Sequence, residues 1–165
     1  MSIDERSNAG WTELMRASIF SDILSVEHLI NQGANINDQS NRGRSPLMMA
    51  VHGNSTTHNM IINLLLEHNA DLELKDDQGG TALIMAAYTG NIETVRCLLN
   101  AKADIEASDN DIWTPLIQSV LSDSPEVAKL LIQHGANRSA KSADGKTALD
   151  HAKENNKHNL SCVSV

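Results

Sequence analysis

A Thr/Ser–x–Leu step recurs along this chain at a nearly constant interval, and that interval constrains the fold more than any single residue. The step stands at Thr12-Glu13-Leu14, Ser45-Pro46-Leu47, Thr81-Ala82-Leu83, Thr114-Pro115-Leu116 and Thr147-Ala148-Leu149, with spacings of 33, 36, 33 and 33 residues. A second marker keeps the same beat at Gly33-Ala34-Asn35, Asn69-Ala70-Asp71, Lys102-Ala103-Asp104 and Gly135-Ala136-Asn137. Such a period means stacked supersecondary units, none of which can bury its apolar face alone. A chain of this kind is a scaffold whose exposed surface is its tool.

One unit, Asp76 to Ser108, can be read physically. Asp77-Gln78-Gly79-Gly80 is a turn sequence with glycines able to take positive φ. Thr81 stands where a helix N-cap belongs, and Ala82 to Ala87 make a short first helix. Gly90-Asn91 breaks it. Ile92, Val95, Leu98 and Leu99 then lie on one helical stripe, which makes the core face of a second helix ending near Lys102. Gly33, Asn69 and Gly135 hold the equivalent closing position, where the left-handed conformation ends a helix. Lys102 is the exception. The second unit is longer by three residues, which are expected in the polar connection Gly53 to Asn59 between its helices.

The period and the Thr-Pro-Leu step resemble the ankyrin repeat, whose signature is Thr-Pro-Leu-His-x-Ala. The resemblance runs over residues 7–155. It implies an all-α ankyrin repeat solenoid of five helix-turn-helix units with hairpin-like turns, in a single domain. The units are 7–39, 40–75, 76–108, 109–141 and a truncated 142–157, followed by a flexible tail, 158–165. The signature histidine is replaced by Met15, Met48, Ile84, Ile117 and Asp150. Apolar contact is therefore expected to tie neighbouring loops in the first four copies. The first unit is expected to act as an N-cap, and the polar fifth helix as a C-cap.

Composition narrows the function. The net charge is −8, so non-specific nucleic-acid binding is disfavoured, and an acidic solenoid more plausibly meets a protein. Residues 1–6 hold no apolar stretch, and no run of 18 apolar residues exists, so neither a secretory signal nor a membrane span is expected. Cys97 and Cys162 are the two cysteines, and Cys97 is expected to be a buried free thiol. These points suit a reducing cytoplasm and a monomer.

No chemistry-bearing motif is found. His52 and His58 flank the long connection without a carboxylate or cysteine partner, so no metal site is expected. Asp109-Asn110-Asp111 resembles the start of a calcium loop but lacks its glycine and bidentate Glu, and reads as a hairpin tip. No phosphate loop or nucleophile elbow occurs. No catalytic residue, cofactor or enzyme activity is expected.

The four aromatic residues are the strongest functional hint. Trp11 and Trp113 each precede the Thr of a unit. Phe20 and Tyr88 fall just past the end of a first helix. None lies on the Leu/Val stripe. The resemblance places these positions on the concave face, together with Arg44 in the Trp row and Leu121 in the inner-helix row. The hairpin tips add Arg42, Asp77 and Asp111. Trp, Tyr and Arg are enriched in binding hot spots. A Trp beside a turn can equally cover its own hairpin, and both readings stay open. The expected function is a non-enzymatic module that holds a partner protein on the concave face. The alternatives are a bacterial inhibitor or immunity protein that occludes a toxin or enzyme, and a secreted effector scaffold.

Overall fold

The computed structural model describes residues 3–53 and 55–154. Among them the helices are α1 (Glu13–Ile19), α2 (Ile23–Asn31), α3 (Pro46–Val51), α4 (Thr56–Glu67), α5 (Ala82–Thr89), α6 (Ile92–Asn100), α7 (Pro115–Leu121), α8 (Pro125–Gln133) and α9 (Ala148–Glu154). No strand occurs among the described residues, and a lone bridge joins Lys141 to Thr147. The all-α solenoid that the resemblance implies is the fold observed.

Each first helix starts at its Thr or Ser. Thr12, Ser45, Thr81 and Thr114 accept the backbone N–H of Met15, Met48, Ile84 and Ile117 at 3.3–3.4 Å. These bonds satisfy N–H groups that the helix itself leaves free. In the fifth unit Thr147 accepts from the Asp150 N–H, and the Asp150 carboxylate accepts in return from the Thr147 N–H at 3.0 Å. The exchange is a capping box.

The units stack in two rows. Helices α1, α3, α5, α7 and α9 pack side by side in one row, and α2, α4, α6 and α8 in the other. Between the rows runs a continuous core of Leu14, Leu47, Leu83 and Leu116 with Val26, Ile61, Leu65, Val95, Leu98, Val127 and Leu131. Full burial of one such side chain is worth about 1.5–3 kcal/mol. Ala50, Ala86 and Ala87 are fully buried in the first row, where small side chains let neighbouring helices approach.

Neighbouring loops are joined by hydrogen bonds, which corrects the expectation that apolar contact does this work. Asn41 donates its N–H to the Ala9 carbonyl at 3.1 Å, Asp77 to Arg42 at 2.9 Å, Asn110 to Gln78 at 3.0 Å and Ala143 to Asp111 at 3.0 Å. A second ladder follows the second helices. The N–H groups of Asp71, Asp104 and Asn137 donate to the side chains of Asn37, Glu73 and Glu106 in the preceding unit, and that of Asn35 donates to Asp4, ahead of the first unit. Met15, Met48, Ile84 and Ile117 are buried in the core, so the bonds that the signature histidine would have made pass to backbone and to these polar side chains.

Two further expectations are corrected. The extra residues of the second unit extend α4, which has 12 residues where α2, α6 and α8 have 9. Ser55 caps it early by accepting the His58 N–H, so Thr56 to Asn59 are helical. Cys97 is a free thiol but only half-buried, because its place on α6 lies beside the core stripe. Burial still pushes its thiol above the usual cysteine value, with Glu93 adding to the effect. The tail 158–165 and Cys162 lie outside the described residues.

The first unit departs from a polar cap. Glu13 and Arg16 are exposed, as a terminal face requires, but Phe20 is 73% and Leu24 75% exposed. Together with Ala17 and Leu29 they line a groove of about 450 Å³ at the end of the stack.

Candidate functional site

The hairpins carry the exposed side chains, and each is built in the same way. The carbonyl of its first residue, Ser7, Ser40, Asp76, Asp109 or Ser142, accepts the N–H of the residue three further on, and its own N–H donates to the carbonyl of the residue four further on. The Ser7 and Ser40 hydroxyls accept the N–H of Trp11 and Arg44. The Asp76 and Asp109 carboxylates accept the N–H of Gly80 and Trp113 at 2.9 Å. The fourth position needs the left-handed conformation, and Gly10, Gly43, Gly79 and Gly145 supply it. In the fourth unit Ile112 stands there at φ 59°, a costly choice for a β-branched residue, and it is 50% exposed.

The structure separates the predicted site residues into groups. Arg42, Asp77 and Asp111 are exposed at the hairpin tips, and among the described residues their side chains join no ion pair or hydrogen bond. Trp11 and Trp113 are half-buried, and Trp113 packs against the core. Leu121 is half-buried against the same core. Tyr88 is 63% exposed on α5. Phe20 does not join them and lines the groove at the end of the stack.

Arg44 and Tyr88 do come together, in a cavity of about 240 Å³ that spans the second, third and fourth units. Its other lining residues include His52, Asp76, Asp109 and Gln118. Arg44 donates to the His52 ring at 3.2 Å and lies 3.7 Å from the Asp76 carboxylate. Its Nε is buried and has no hydrogen-bond partner among the described residues. Burial, and then the Arg44 charge, hold the His52 imidazole below the usual histidine value, so it is neutral near pH 7. Gln118, on α7, donates its side-chain amide to Asp109 at 3.3 Å.

Gln118 and Asp76 were not singled out as site residues from sequence, and Asp109 was read only as part of a hairpin tip. A signal was present: Asp replaces Ser at the first hairpin position in the third and fourth units. His52 and His58 do not meet. His52 faces Arg44, whereas His58 lies 2.6 Å from Ser21 in the first unit. Among the described residues no group of three His, Cys, Asp or Glu is placed to hold a metal ion. No described helix is long and apolar enough to cross a membrane.

Comparison with known proteins agrees with this architecture. The family described as ankyrin repeats (3 copies) matches residues 14–109, and ankyrin repeats (many copies) matches residues 89–132. The chain is 35% identical over 97 residues to transient receptor potential cation channel subfamily A member 1 of Homo sapiens, covering 58% of this chain and 8% of the channel. It is 36% identical over 84 residues to Rabankyrin-5 of Mus musculus, covering 50% of this chain and 7% of that protein. It is also 36% identical over 81 residues to the 2-5A-dependent ribonuclease of Homo sapiens, covering 48% of this chain and 10% of the enzyme. The chain thus spans a tenth or less of the length of these relatives.

Proposed function

The chain belongs to the ankyrin repeat family, and from that premise we propose that it is a non-enzymatic module that holds a partner protein against its concave face. The face comprises Trp11, Arg42, Arg44, Asp77, Tyr88, Asp111, Trp113 and Leu121. One observation carries the reading. The side chains of Arg42, Asp77, Asp111 and Tyr88 are exposed and make no bond to the stack among the described residues, so folding does not account for them. Packed helices lie about 8–10 Å apart, so Trp11 and Trp113, three units apart, stand roughly 25–30 Å from each other. That length suits one side of a standard interface, about 800 Å². The free thiol and the net charge of −8 fit a monomer that works in a reducing cytoplasm and avoids nucleic acid.

The test is recovery of the partner from an extract of the source cell by affinity capture and mass spectrometry, followed by binding measurements on purified components. Tyr88→Ala removes an exposed ring and is expected to weaken binding by about 2 kcal/mol while the melting temperature holds, as hot-spot truncations do. Trp113→Ala should lower both, because that side chain also packs on the core. Full affinity in both variants would remove the concave face from the interface.

A further inference from the structure

The cavity between the second, third and fourth units has an unbalanced charge. Asp76 already serves the stack. Its Oδ1 accepts from the N–H groups of Gln78 and Gly80, and its Oδ2 faces Arg44. Arg44 is in turn engaged by Asp76 and by His52, and its Nε is sealed from solvent. Asp109 is different. Its Oδ1 holds the hairpin through the N–H groups of Asp111 and Trp113, but its Oδ2 meets only a neutral amide, that of Gln118. No cation pairs with Asp109 among the described residues. Gln118 is 8% exposed, and with its nitrogen given to Asp109 its amide oxygen is the group left to accept. On the α5 side stands the Tyr88 ring, 63% exposed.

The size also discriminates. About 240 Å³ is below the range of small-molecule pockets, roughly 300–1,000 Å³, and suits a single side chain. A guanidinium matches the groups present, because its planar fork can reach a carboxylate and an amide oxygen together while its face lies on an aromatic ring. The overall charge of −8 favours approach of a basic partner.

We propose that this cavity seats one arginine side chain of the partner, its guanidinium held between the Asp109 carboxylate, the Gln118 amide oxygen and the Tyr88 ring. The proposal rests on the concave-face reading and gives it an anchor. An anion drawn to Arg44 is the competing occupant, disfavoured because Arg44 already has its own carboxylate.

A partner-independent probe tests it. The ¹⁵N-labelled protein is titrated with the capped peptide Gly-Gly-Arg-Gly-Gly, and with the same peptide carrying citrulline or glutamate in place of arginine. The arginine peptide should bind weakly but saturably, shifting the Gln118 side-chain amide and the backbone amides of Tyr88 and Asp109. Tyr88→Ala should weaken that binding about two- to fivefold, the size of an exposed cation–π contact. Asp109→Asn, which keeps the oxygen that holds the hairpin, should weaken it at least as much. Saturable binding of the glutamate peptide at these residues, equal binding of the citrulline peptide, or no saturable shift would each overturn the proposal. If the arginine peptide binds here while the native partner maps to another surface, the proposed function fails and the site stands. If the partner occupies the concave face and Tyr88→Ala and Asp109→Asn leave it unaffected, the site fails and the function stands.

Discussion

Lys102 and Ile112 hold left-handed conformations that their sister positions assign to glycine or asparagine. Lys102 sits at φ 72°, where Gly33, Asn69 and Gly135 close the other second helices. The left-handed region costs a non-glycine residue roughly 1–2 kcal/mol, and glycine returns part of that as lost chain entropy. Lys102→Gly is therefore expected to raise stability by about 0.5–1 kcal/mol, read as a higher denaturant midpoint. An unchanged midpoint would mean that the Lys102 side chain compensates. Ile112 is the harsher case, because it is β-branched. In its hairpin the Asp109 nitrogen lies 3.3 Å from the Trp113 carbonyl oxygen, against 3.0 Å in the other units. Glycine is favoured at the sister tips partly by crowding, since a Cβ at Gly10 or Gly79 would meet Asn41 or Asn110 of the next unit. The tip that follows Ile112 carries Ala143 instead. Ile112→Gly should stabilise the domain by about 1 kcal/mol in thermal or denaturant unfolding. A gain in stability accompanied by weaker partner binding would place Ile112 on the interface, since strain kept at an exposed position serves something other than folding.

At the scale of the element, the additional turn of α4 has its own anchor. The His58 ring lies near Ser21, Ser55 and the Ile19 carbonyl, so this turn clasps the first unit. A Cβ at Gly53 would collide with the same ring. His58→Ala is expected to cost about 1 kcal/mol and to speed amide exchange over 55–59. Unchanged exchange there would show that the turn is held by its cap alone. Helices α2 and α9, one in each terminal unit, also share a device. Asp22 caps α2, and the hydroxyl and N–H of Ser25 hold its carboxyl below the usual range. Asp150 closes the capping box of α9, held low by the N–H and then the hydroxyl of Thr147. A lowered folded-state value means stabilisation that is complete above the unfolded value and lost as pH falls through the folded one. Acidification below about pH 4 should therefore loosen α2 and α9 before the central helices, measured by amide exchange at successive pH values. Simultaneous loss along the whole stack would argue against these caps as the weak points.

At the scale of the molecule, each unit touches only its neighbours, so the centre decides whether the stack holds together. Leu98 is fully buried at the middle of the core. Leu98→Asp is expected to cost about 4 kcal/mol and to turn one melting transition into two, or to remove most helical circular dichroism. A single transition near the original temperature would contradict the continuous core. Much of this was legible in sequence because the signals are local. A threonine hydroxyl reaches an N–H three residues on, a glycine or asparagine ends a helix on its own, and a stripe at helical spacing marks a buried face, so caps, ends and core could be read from one unit and copied along the period. The three extra residues were not legible, because polar residues such as Thr56, Thr57 and Asn59 serve a loop or a helical turn equally well, and the Ser55 cap settled the matter only in space. The candidate site was legible only in outline. Arg44, Tyr88 and Asp109 belong to three different units, and their meeting depends on how those units superpose. The sequence by itself determined the repeat, its helices and the exposure of its tips, since these follow from contacts within a few residues. Only the tertiary structure decided that Asp76 neutralises Arg44 while Asp109 has no cation among the described residues, because that balance is struck between side chains that stacking alone brings together.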